Sequence, residues 1–437
     1  MKTIGIQWAA RDMNTIMADP FPIRPITVDE YAGFRRVHDH AFNGGAPVSE
    51  VLRARRIRQF EPERSLAAFD AALSADEALV GTTGAYSLRM TVPGGPVPVA
   101  GVTAVSVLPS HRRRGVLRSL MRRQIADIAA RGEEPIAALW ASETPIYARY
   151  GYGRASSNAY FRFERGDGAM AATAPADPAL TLRLAEPQAV TAELAKVHQT
   201  VLPAQPGFFA RSEDWWGRVL HDEPEERQGL SPLRCLVAED GSGVRGYALY
   251  TTAQRWHEPT GLPDGLLVVR EVIAADPAAG AALWHNLLTR DLIAAVTAEL
   301  RPAEDPVLFQ LLDPRRARVQ VNDGIWVRII DLPVALTRRA YSCPVDVVLE
   351  VTDDLLAGNA GRWRLRTDGP DGASCERTDG PADLVLDVRE LAAAYLGGTR
   401  LGTLAAAGLV RELRPGTLVP LSCAMTWDPA PWCPQNF

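Results

Sequence analysis

The sequence has little that would serve secretion, membrane insertion or metal chemistry. Only five cysteines occur in 437 residues: Cys235, Cys343, Cys375, Cys423 and Cys433. Their number is odd, they are scattered, and none forms a CxxC pair. They read as reduced thiols in the cytoplasm, not as a disulfide frame or a zinc site. The seven histidines are equally dispersed. His38 and His40 stand two apart with no third ligand suggested, so no metal is expected. No run approaches the ~20 apolar residues of a membrane span. Residues 1–11 lack the long apolar core of a secretory signal, and the segment before Phe21 reads as a flexible leader. The formal net charge is −5, so no basic field argues for nucleic acid, and a cationic small substrate suits the chain better. Neither a GxSxG elbow nor a Walker motif is present.

What is present is an ordinary globular composition, 47% apolar and 23% charged. At roughly 150 residues per domain the length implies about three domains. Residues 26–73 read as mostly helical, with Val28-Asp29-Glu30 as a helix start. Residues 79–108 read as strands around a Pro93-Gly94-Gly95-Pro96 turn. A helix is expected over 115–131, where Leu117, Leu120, Met121, Ile125 and Ile128 share one face. Short strands follow at 136–140 and 158–163. Together these make a mixed α/β layer. Residues 166–178, rich in Ala, Gly, Asp and Pro, read as a linker.

Beyond the linker the same order returns: strands at 233–237, 244–252 and 268–274, then a helix over 278–300. Laid residue on residue, Ala104–Leu108 falls on Glu271–Ala275. Arg112–Gly115 falls on Ala279–Ala282, and Leu117, Leu120 and Met121 fall on Trp284, Leu287 and Leu288. The apolar helix face is kept while the arginines are gone. This implies two copies of one fold, with phosphate-binding chemistry in the first alone; chance similarity of two strand–helix units is the plain alternative. The remainder, from about residue 330, reads as an α+β module with strands at 345–351, 362–367 and 384–388 and helices at 388–395 and 403–407.

The chemistry-bearing stretch is Val105-Ser106-Val107-Leu108-Pro109-Ser110-His111-Arg112-Arg113-Arg114-Gly115-Val116-Leu117-Arg118. A strand ends, a basic loop follows, and a helix begins. Backbone N–H groups at a helix N-terminus, with arginines beside them, suit a diphosphate. Gly115 permits close backbone approach. The strand before the loop can pair with an amide-bearing arm. The plain alternative is a solvated basic helix start. His111 reads as a support of the loop.

This loop resembles the acetyl-CoA motif of the GNAT acetyltransferases, Q/R-x-x-G-x-G/A, with Leu117 where many members carry Gly or Ala. The chain as a whole resembles the enhanced intracellular survival (Eis) N-acetyltransferases of actinobacteria. The likeness rests on His111-Arg112-Arg113-Arg114-Gly115 followed by two apolar residues, and on Ala141-Ser142-Glu143-Thr144-Pro145-Ile146-Tyr147-Ala148-Arg149-Tyr150-Gly151-Tyr152-Gly153. Asp323-Gly324-Ile325-Trp326-Val327-Arg328, Tyr395-Leu396-Gly397-Gly398 and the final Phe437 extend it nearly end to end.

The resemblance implies an α+β fold of tandem GNAT domains followed by a sterol-carrier-like domain. The corresponding divisions are a catalytic domain at 1–165, a degenerate GNAT domain at 166–329 and a C-terminal domain at 330–437. It also implies a homohexamer and acetyl-CoA as acetyl donor. Val105, Ser106 and Val107 would bind the pantetheine through their backbone. Arg113, Arg114, Gly115, Val116, Leu117 and Arg118 would hold the phosphates, and Ser142 and Glu143 would complete that site. Tyr147 would be the general acid, with Tyr150 and Tyr152 as nearby competitors. The terminal carboxylate of Phe437 would be the general base. A docked apolar tail is the plain alternative for the last residues.

The acceptor implied is an amine, of an aminoglycoside, a polyamine or a lysine side chain. Here the sequence departs from the family pattern. Phe42 fits an aromatic position, but Asn43-Gly44-Gly45 stands where an acid is found, Ala104 replaces a large aromatic and Trp140 a histidine. Asp29, Glu30, Asp39 and Glu50 are candidate acidic contacts that read equally as surface charge. A non-catalytic carrier of acyl-CoA or an apolar ligand, using the C-terminal module, is the other class; Arg113, Gly115 and Tyr147 favour the transferase.

Overall fold

The computed structural model describes residues 20–44, 48–75 and 77–437. The expected leader up to residue 19, and Gly45, lie outside the described residues. Two compact units result. One gathers the described parts of 1–47, 61–84 and 104–121, the other 48–60, 85–103 and 122–437.

The first unit holds β1 (Ile23–Pro25) and α1 (Tyr31–Ala41), whereas α2 (Glu50–Gln59) belongs to the second. Helix α1 buries Tyr31, Phe34 and Val37, one apolar residue per turn. Strand β2 (Leu66–Phe69) pairs antiparallel with β1, Ile23 facing Ala68, and with the start of β3 (Leu79–Val92), Leu66 facing Thr83. Residues 26–73 are therefore less helical than their composition suggests. Leu66-Ala67-Ala68-Phe69 is apolar throughout, and a short buried strand has no alternation to distinguish it from a helix. The end of β4 (Gly95–Val107) and the first turns of α3 (Val116–Arg131) complete this unit. In α3, Leu120, Met121, Ile125 and Ile128 are buried as expected, Val116 and Gln124 join them, and Leu117 is half-buried.

In the second unit β4 runs parallel to β5 (Ile136–Trp140), from Val99 beside Ile136 to Gly101 beside Ala138. The chain continues through α4 (Thr144–Tyr147), β6 (Gly153–Arg154) and β7 (Ser157–Glu164). Irregular chain fills most of the expected linker before β8 (Thr181–Ala185), α5 (Thr191–Val201) and α6 (Glu213–Val219). Strands β9 (Arg234–Asp240) and β10 (Gly243–Ala253) precede a small pair, β11 (Trp256–His257) and β12 (Leu262–Pro263). Then come β13 (Gly265–Ala274), α7 (Pro277–Leu288), β14 (Ile293–Pro302), α8 (Val307–Gln310), β15 (Gln320–Asp323) and β16 (Ile325–Ile329).

Two expectations are corrected here. The helix foreseen over 278–300 stops at Leu288, and the residues from Ile293 form β14 parallel to β13. Leu292 adopts a left-handed φ of 64°, which no helix continues through. The strand at 158–163, read as closing the first copy, instead joins the second sheet, whose order is β15-β7-β14-β13-β10-β9-β8. Its Phe161 and Phe163 rings both lie 6.4 Å from that of Trp284 on α7. In exchange β16, from the end of the second copy, pairs antiparallel with β5 and with β6. The two copies thus trade their final strands.

The last part begins with α9 (Leu332–Thr337) and β17 (Val345–Thr352). Strands β18 (Gly361–Thr367), β19 (Ala373–Arg377) and β20 (Leu384–Asp387) follow, then α10 (Val388–Ala394), α11 (Leu401–Ala406), β21 (Val410–Glu412) and α12 (Leu418–Met425). Its sheet has the order β19-β18-β17-β20-β21. Val347, Leu349 and Val351 alternate inward and share one core with Ile325, Val327 and Ile329 of β16. Among the described residues no helix is long and apolar enough to cross a membrane.

The traded strand is also tied down by charge. Arg328 on β16 is fully buried, and both Asp353 carboxylate oxygens accept from its Nη2 at 2.7 Å. Asp353 also accepts from the backbone of Leu355 and Leu356 and from Asn359. Gly151, at φ 78°, lies beneath the same guanidinium; a Cβ there would sit 2.8 Å from Arg328 Nη1. Removing one partner of a buried pair leaves an uncompensated charge, at about 3–5 kcal/mol. Asp353→Ala is expected to lose about that much stability, read as a lower denaturant midpoint. An unchanged midpoint would contradict the role given to this pair.

Candidate active site

The basic loop lies in the first unit. Strand β4 ends at Val107, a turn of 3-10 helix covers Pro109–His111, and α3 begins at Val116. His111 is buried, bonds Asp70 Oδ2 through Nε2 at 3.1 Å and Ser110 Oγ through Nδ1 at 2.9 Å, and stands edge-on to Phe21. It holds the loop, as expected. Asp70 was not foreseen, since no local pattern marks an acid 41 residues upstream. Backbone N–H donation from Ala72 first, and then His111, hold its carboxyl below the usual range.

With the loop pinned at His111, Arg113 and Gly115 both take left-handed backbone angles, φ 63° and 91°. Alternating angles of this kind turn successive N–H groups to one side and make an anion-binding concavity. A non-glycine residue held left-handed carries about 1–2 kcal/mol of strain, and such strain gathers at ligand sites. Arg112, Arg113, Arg114 and Arg118 are all exposed. Arg112 donates to Ala41 O at 3.2 Å, and Arg114 lies over the Phe21 ring. On the strand, Ser106 is buried with its hydroxyl 3.2 Å from His38 Nδ1, and Val105 is half-buried. Val116 is buried and Leu117 half-buried. Four exposed guanidinium groups beside a strained turn fit a diphosphate.

The second copy has no such loop. Strand β13 ends at Ala274 and α7 starts at Pro277. The gapless alignment is therefore corrected: its strands correspond, but Ala279–Ala282 lies inside α7, not in a loop. Asp276 caps that helix, accepting from Ala278 N and Ala279 N at 3.0 Å each, and is held by Arg245 at 2.8 Å. A carboxylate already occupies the donors a phosphate would use, and its charge repels one.

The second unit carries the remaining candidates. Ser142 and Glu143 are exposed at the start of α4, and Tyr147, at its end, is buried. Burial raises the Tyr147 phenol above its ordinary value, partly opposed by a hydrogen bond with Ser142; Glu143 and Tyr150 add to the rise. Tyr152 meets Tyr147 edge-on at 6.1 Å, is fully buried, and its hydroxyl has no partner among the described residues. Burial pushes its phenol far up, and Tyr150 is buried as well. Tyr147 is hydrogen-bonded to an exposed candidate, Ser142.

Phe437 is buried against Phe209, ring centroids 5.0 Å apart, beside Gly101 on β4. Trp140, at the end of β5, donates from Nε1 to Gln435 O at 3.0 Å. The docked tail thus reaches the end of the strand that leads into α4 and Tyr147. The acidic acceptor candidates mostly have partners: Glu30 pairs with Arg24 at 2.6 Å, Asp39 with Arg35 at 2.7 Å and Glu50 with Arg53 at 3.5 Å, while Asp29 is exposed. Hydrogen bonding to Arg24 takes the Glu30 carboxyl down to about 2.

Two family models described as acetyltransferase (GNAT) domains match residues 22–155 and 207–329, and a sterol carrier protein domain matches 332–434. The chain is 46% identical to an uncharacterized N-acetyltransferase of Streptomyces coelicolor over 362 residues, covering 83% of this chain and 86% of that one. It is 34% identical to N-acetyltransferase Eis of Mycobacterium tuberculosis over 360 residues, covering 80% and 84%. Among solved structures, Eis1 from Mycobacterium abscessus aligns with a TM-score of 0.78 at 31% identity, over 95% of this chain and 100% of that one.

The contrast between the two copies has a direct consequence for binding. Calorimetric titration with acetyl-CoA is expected to give one site per chain. Two equivalent sites would contradict the reading of Asp276 as an occupied helix start.

Proposed function

The chain belongs to the Eis family of GNAT-type N-acetyltransferases, and from that premise we propose that it moves the acetyl group of acetyl-CoA directly onto a cationic amine. The observation that carries this reading is the strained basic turn, Arg113 and Gly115 both left-handed, at the start of an α-helix. In the proposal, Arg113, Arg114, Gly115, Val116, Leu117 and Arg118 hold the diphosphate. The main chain of Val105–Val107 pairs with the pantetheine amides, beyond the three residue pairs that β4 makes with β5. The reading also keeps Ser142 and Glu143 as candidates to complete the donor site.

The reaction asks for three proton transfers. The terminal carboxylate of Phe437 takes a proton from the substrate ammonium, directly or through water. The freed amine nitrogen attacks the thioester carbonyl carbon, Tyr147 gives its hydroxyl proton to the departing thiolate as the C–S bond breaks, and the second proton of the former amine nitrogen passes to the Tyr147 phenolate, leaving a neutral amide and a free thiol. A buried phenol suits that role, because desolvation keeps it protonated at neutral pH. The acceptor is an amine of the aminoglycoside, polyamine or lysine class. The homohexamer belongs to the same reading, and the exposure of Phe309 and Leu312, 79% and 72%, supports a covering partner.

Three outcomes follow. Tyr147→Phe is expected to fold and bind acetyl-CoA yet lose about 10²–10⁴-fold in kcat, the usual worth of general acid–base catalysis; near-normal turnover would remove Tyr147 from the mechanism. A group whose pKa is raised stays protonated until pH climbs through that raised value. The alkaline fall of kcat is therefore expected above about pH 10, the ordinary phenol value, and a limb near neutrality that vanishes in Tyr147→Phe would contradict the buried-acid account. Extending the chain beyond Phe437 converts the carboxylate into an amide and should depress kcat while sparing acetyl-CoA affinity. Unchanged turnover at saturating amine would exclude the terminal base.

A further inference from the structure

The second copy, deprived of a phosphate loop, carries a buried polar cluster that the proposed chemistry does not use. Arg211 and Glu271 form a two-point ion pair, Nη1 to Oε1 at 2.9 Å and Nη2 to Oε2 at 2.5 Å, with side-chain exposures of 1% and 4%. Tyr247 donates its hydroxyl to Glu271 Oε1 at 2.6 Å. His198, stacked on Phe208, lies beside them; burial, and then Arg211, takes its ring down to about 4, so it stays neutral. Glu271 is the residue that falls on Ala104 when β13 is laid on β4.

The guanidinium also donates from Nη1 to the Tyr247 hydroxyl at 3.5 Å, and it bonds the tail. Arg211 Nε donates to Gln435 Oε1 at 2.9 Å. Gln435 is buried and two residues from the end of the sequence, and its main-chain carbonyl accepts from Trp140 Nε1 at 3.0 Å and from Cys433 Sγ at 3.2 Å. The rest of the tail is held by the same copy. Asn158 on β7 donates to Cys433 O at 3.3 Å, Gln205 to Ala430 O at 2.8 Å, and Trp432 N to Pro206 O at 2.9 Å. Trp432 packs on Phe208 and under Arg301, and its indole N–H donates to Leu300 O. Phe437 itself rests on Phe209.

We propose that the second GNAT copy serves as a clamp for the C-terminus, and that Arg211, fixed by Glu271 and Tyr247, is a positioning residue that sets the Phe437 carboxylate through Gln435. The proposal rests on the reading of Phe437 as the base. Chain ends fray unless they are tied, and a base misplaced by about 1 Å loses about 10²-fold in rate. A surface tail would need none of these bonds. A pre-paired guanidinium is a rigid donor, because its carboxylate partner leaves it no rotamer freedom. The bond to Oε1 also fixes the Gln435 amide, leaving Nε2 as a buried donor with no partner among the described residues.

Removing Arg211 would strand the Glu271 charge and endanger the fold, so the test is made at Gln435. Gln435→Leu keeps the ion pair and the main-chain bonds but gives Arg211 nothing to hold. Gln435→Glu keeps an acceptor. In Gln435→Leu, kcat is expected to fall about 10–100-fold at neutral pH with KM for acetyl-CoA unchanged, and Gln435→Glu to stay within about threefold of the parent. The deficit of Gln435→Leu should shrink as pH rises through the acceptor's pKa, because a free amine needs no base. A pH-independent deficit would mark a structural role and overturn the proposal, as would parent-like kcat in Gln435→Leu. The chain-extension variant separates the two readings. If it depresses turnover while Gln435→Leu does not, the clamp fails and the base stands. If it leaves turnover unchanged, both fail.

Discussion

The exchange of final strands between the two GNAT copies constrains the rest of this structure. Strand β16 closes against β5 and β6, and β7 closes the second sheet. The first copy therefore completes its sheet with a strand from far along the chain and cannot close as a linear segment, whereas all the strands of the second sheet lie within residues 157–323. Arg328 extends that dependence to the C-terminal part through Asp353. Gly151, just after Tyr147, fits because it has no Cβ to strike that guanidinium. The run from Ala141 to Gly153 is thus partly chemical and partly a packing requirement: Ser142, Glu143 and Tyr147 face the reaction in the proposed reading, and the glycine seats the turn beneath β16.

The two copies differ most where a strand passes into a helix. In the first, eight residues separate β4 from α3, and the backbone of that loop is twisted left-handed at Arg113 and Gly115. In the second, Ala275 and Asp276 alone make the connection, and Asp276 caps the helix. A strained basic loop and a self-satisfied helix start arise from the same scaffold by length and charge. In the second copy Arg211 bonds Gln435 and Phe208 packs on Trp432, so this copy receives the last residues of the sequence.

Much of this was legible in the sequence, for physical reasons. The pattern of Leu120, Met121, Ile125 and Ile128 marks α3, and the basic string before it marks the loop. Alternation marks β17 and β18, and the repeated strand–helix order marks the second copy. Short, wholly apolar segments such as Leu66–Phe69 were not legible, since they lack a period. The stop at Leu288 is hidden because only Thr289-Arg290-Asp291-Leu292 separates the apolar helix from the apolar, alanine-containing strand that begins at Ile293. The loop deletion was hidden because a helix face repeats often enough to align out of register. Long-range polar partners were invisible: Asp70 for His111, Glu271 for Arg211, Asp353 for Arg328. Nothing local in sequence distinguishes a buried carboxylate from a surface one, and only the fold brings each acid to its arginine.

The central claim is group transfer to an amine, and its most direct measurement follows both products in one reaction. The protein is mixed with acetyl-CoA carrying a labelled acetyl group and a panel of polyamines, aminoglycosides and lysine peptides. Free thiol is recorded by absorbance and the amines by mass spectrometry. The account predicts thiol release that depends on at least one amine, matched mole for mole by label in that amine and greatly reduced in Tyr147→Phe. Acetyl-CoA that binds but releases no thiol with any amine would contradict it and leave a binding protein built on an acetyltransferase scaffold.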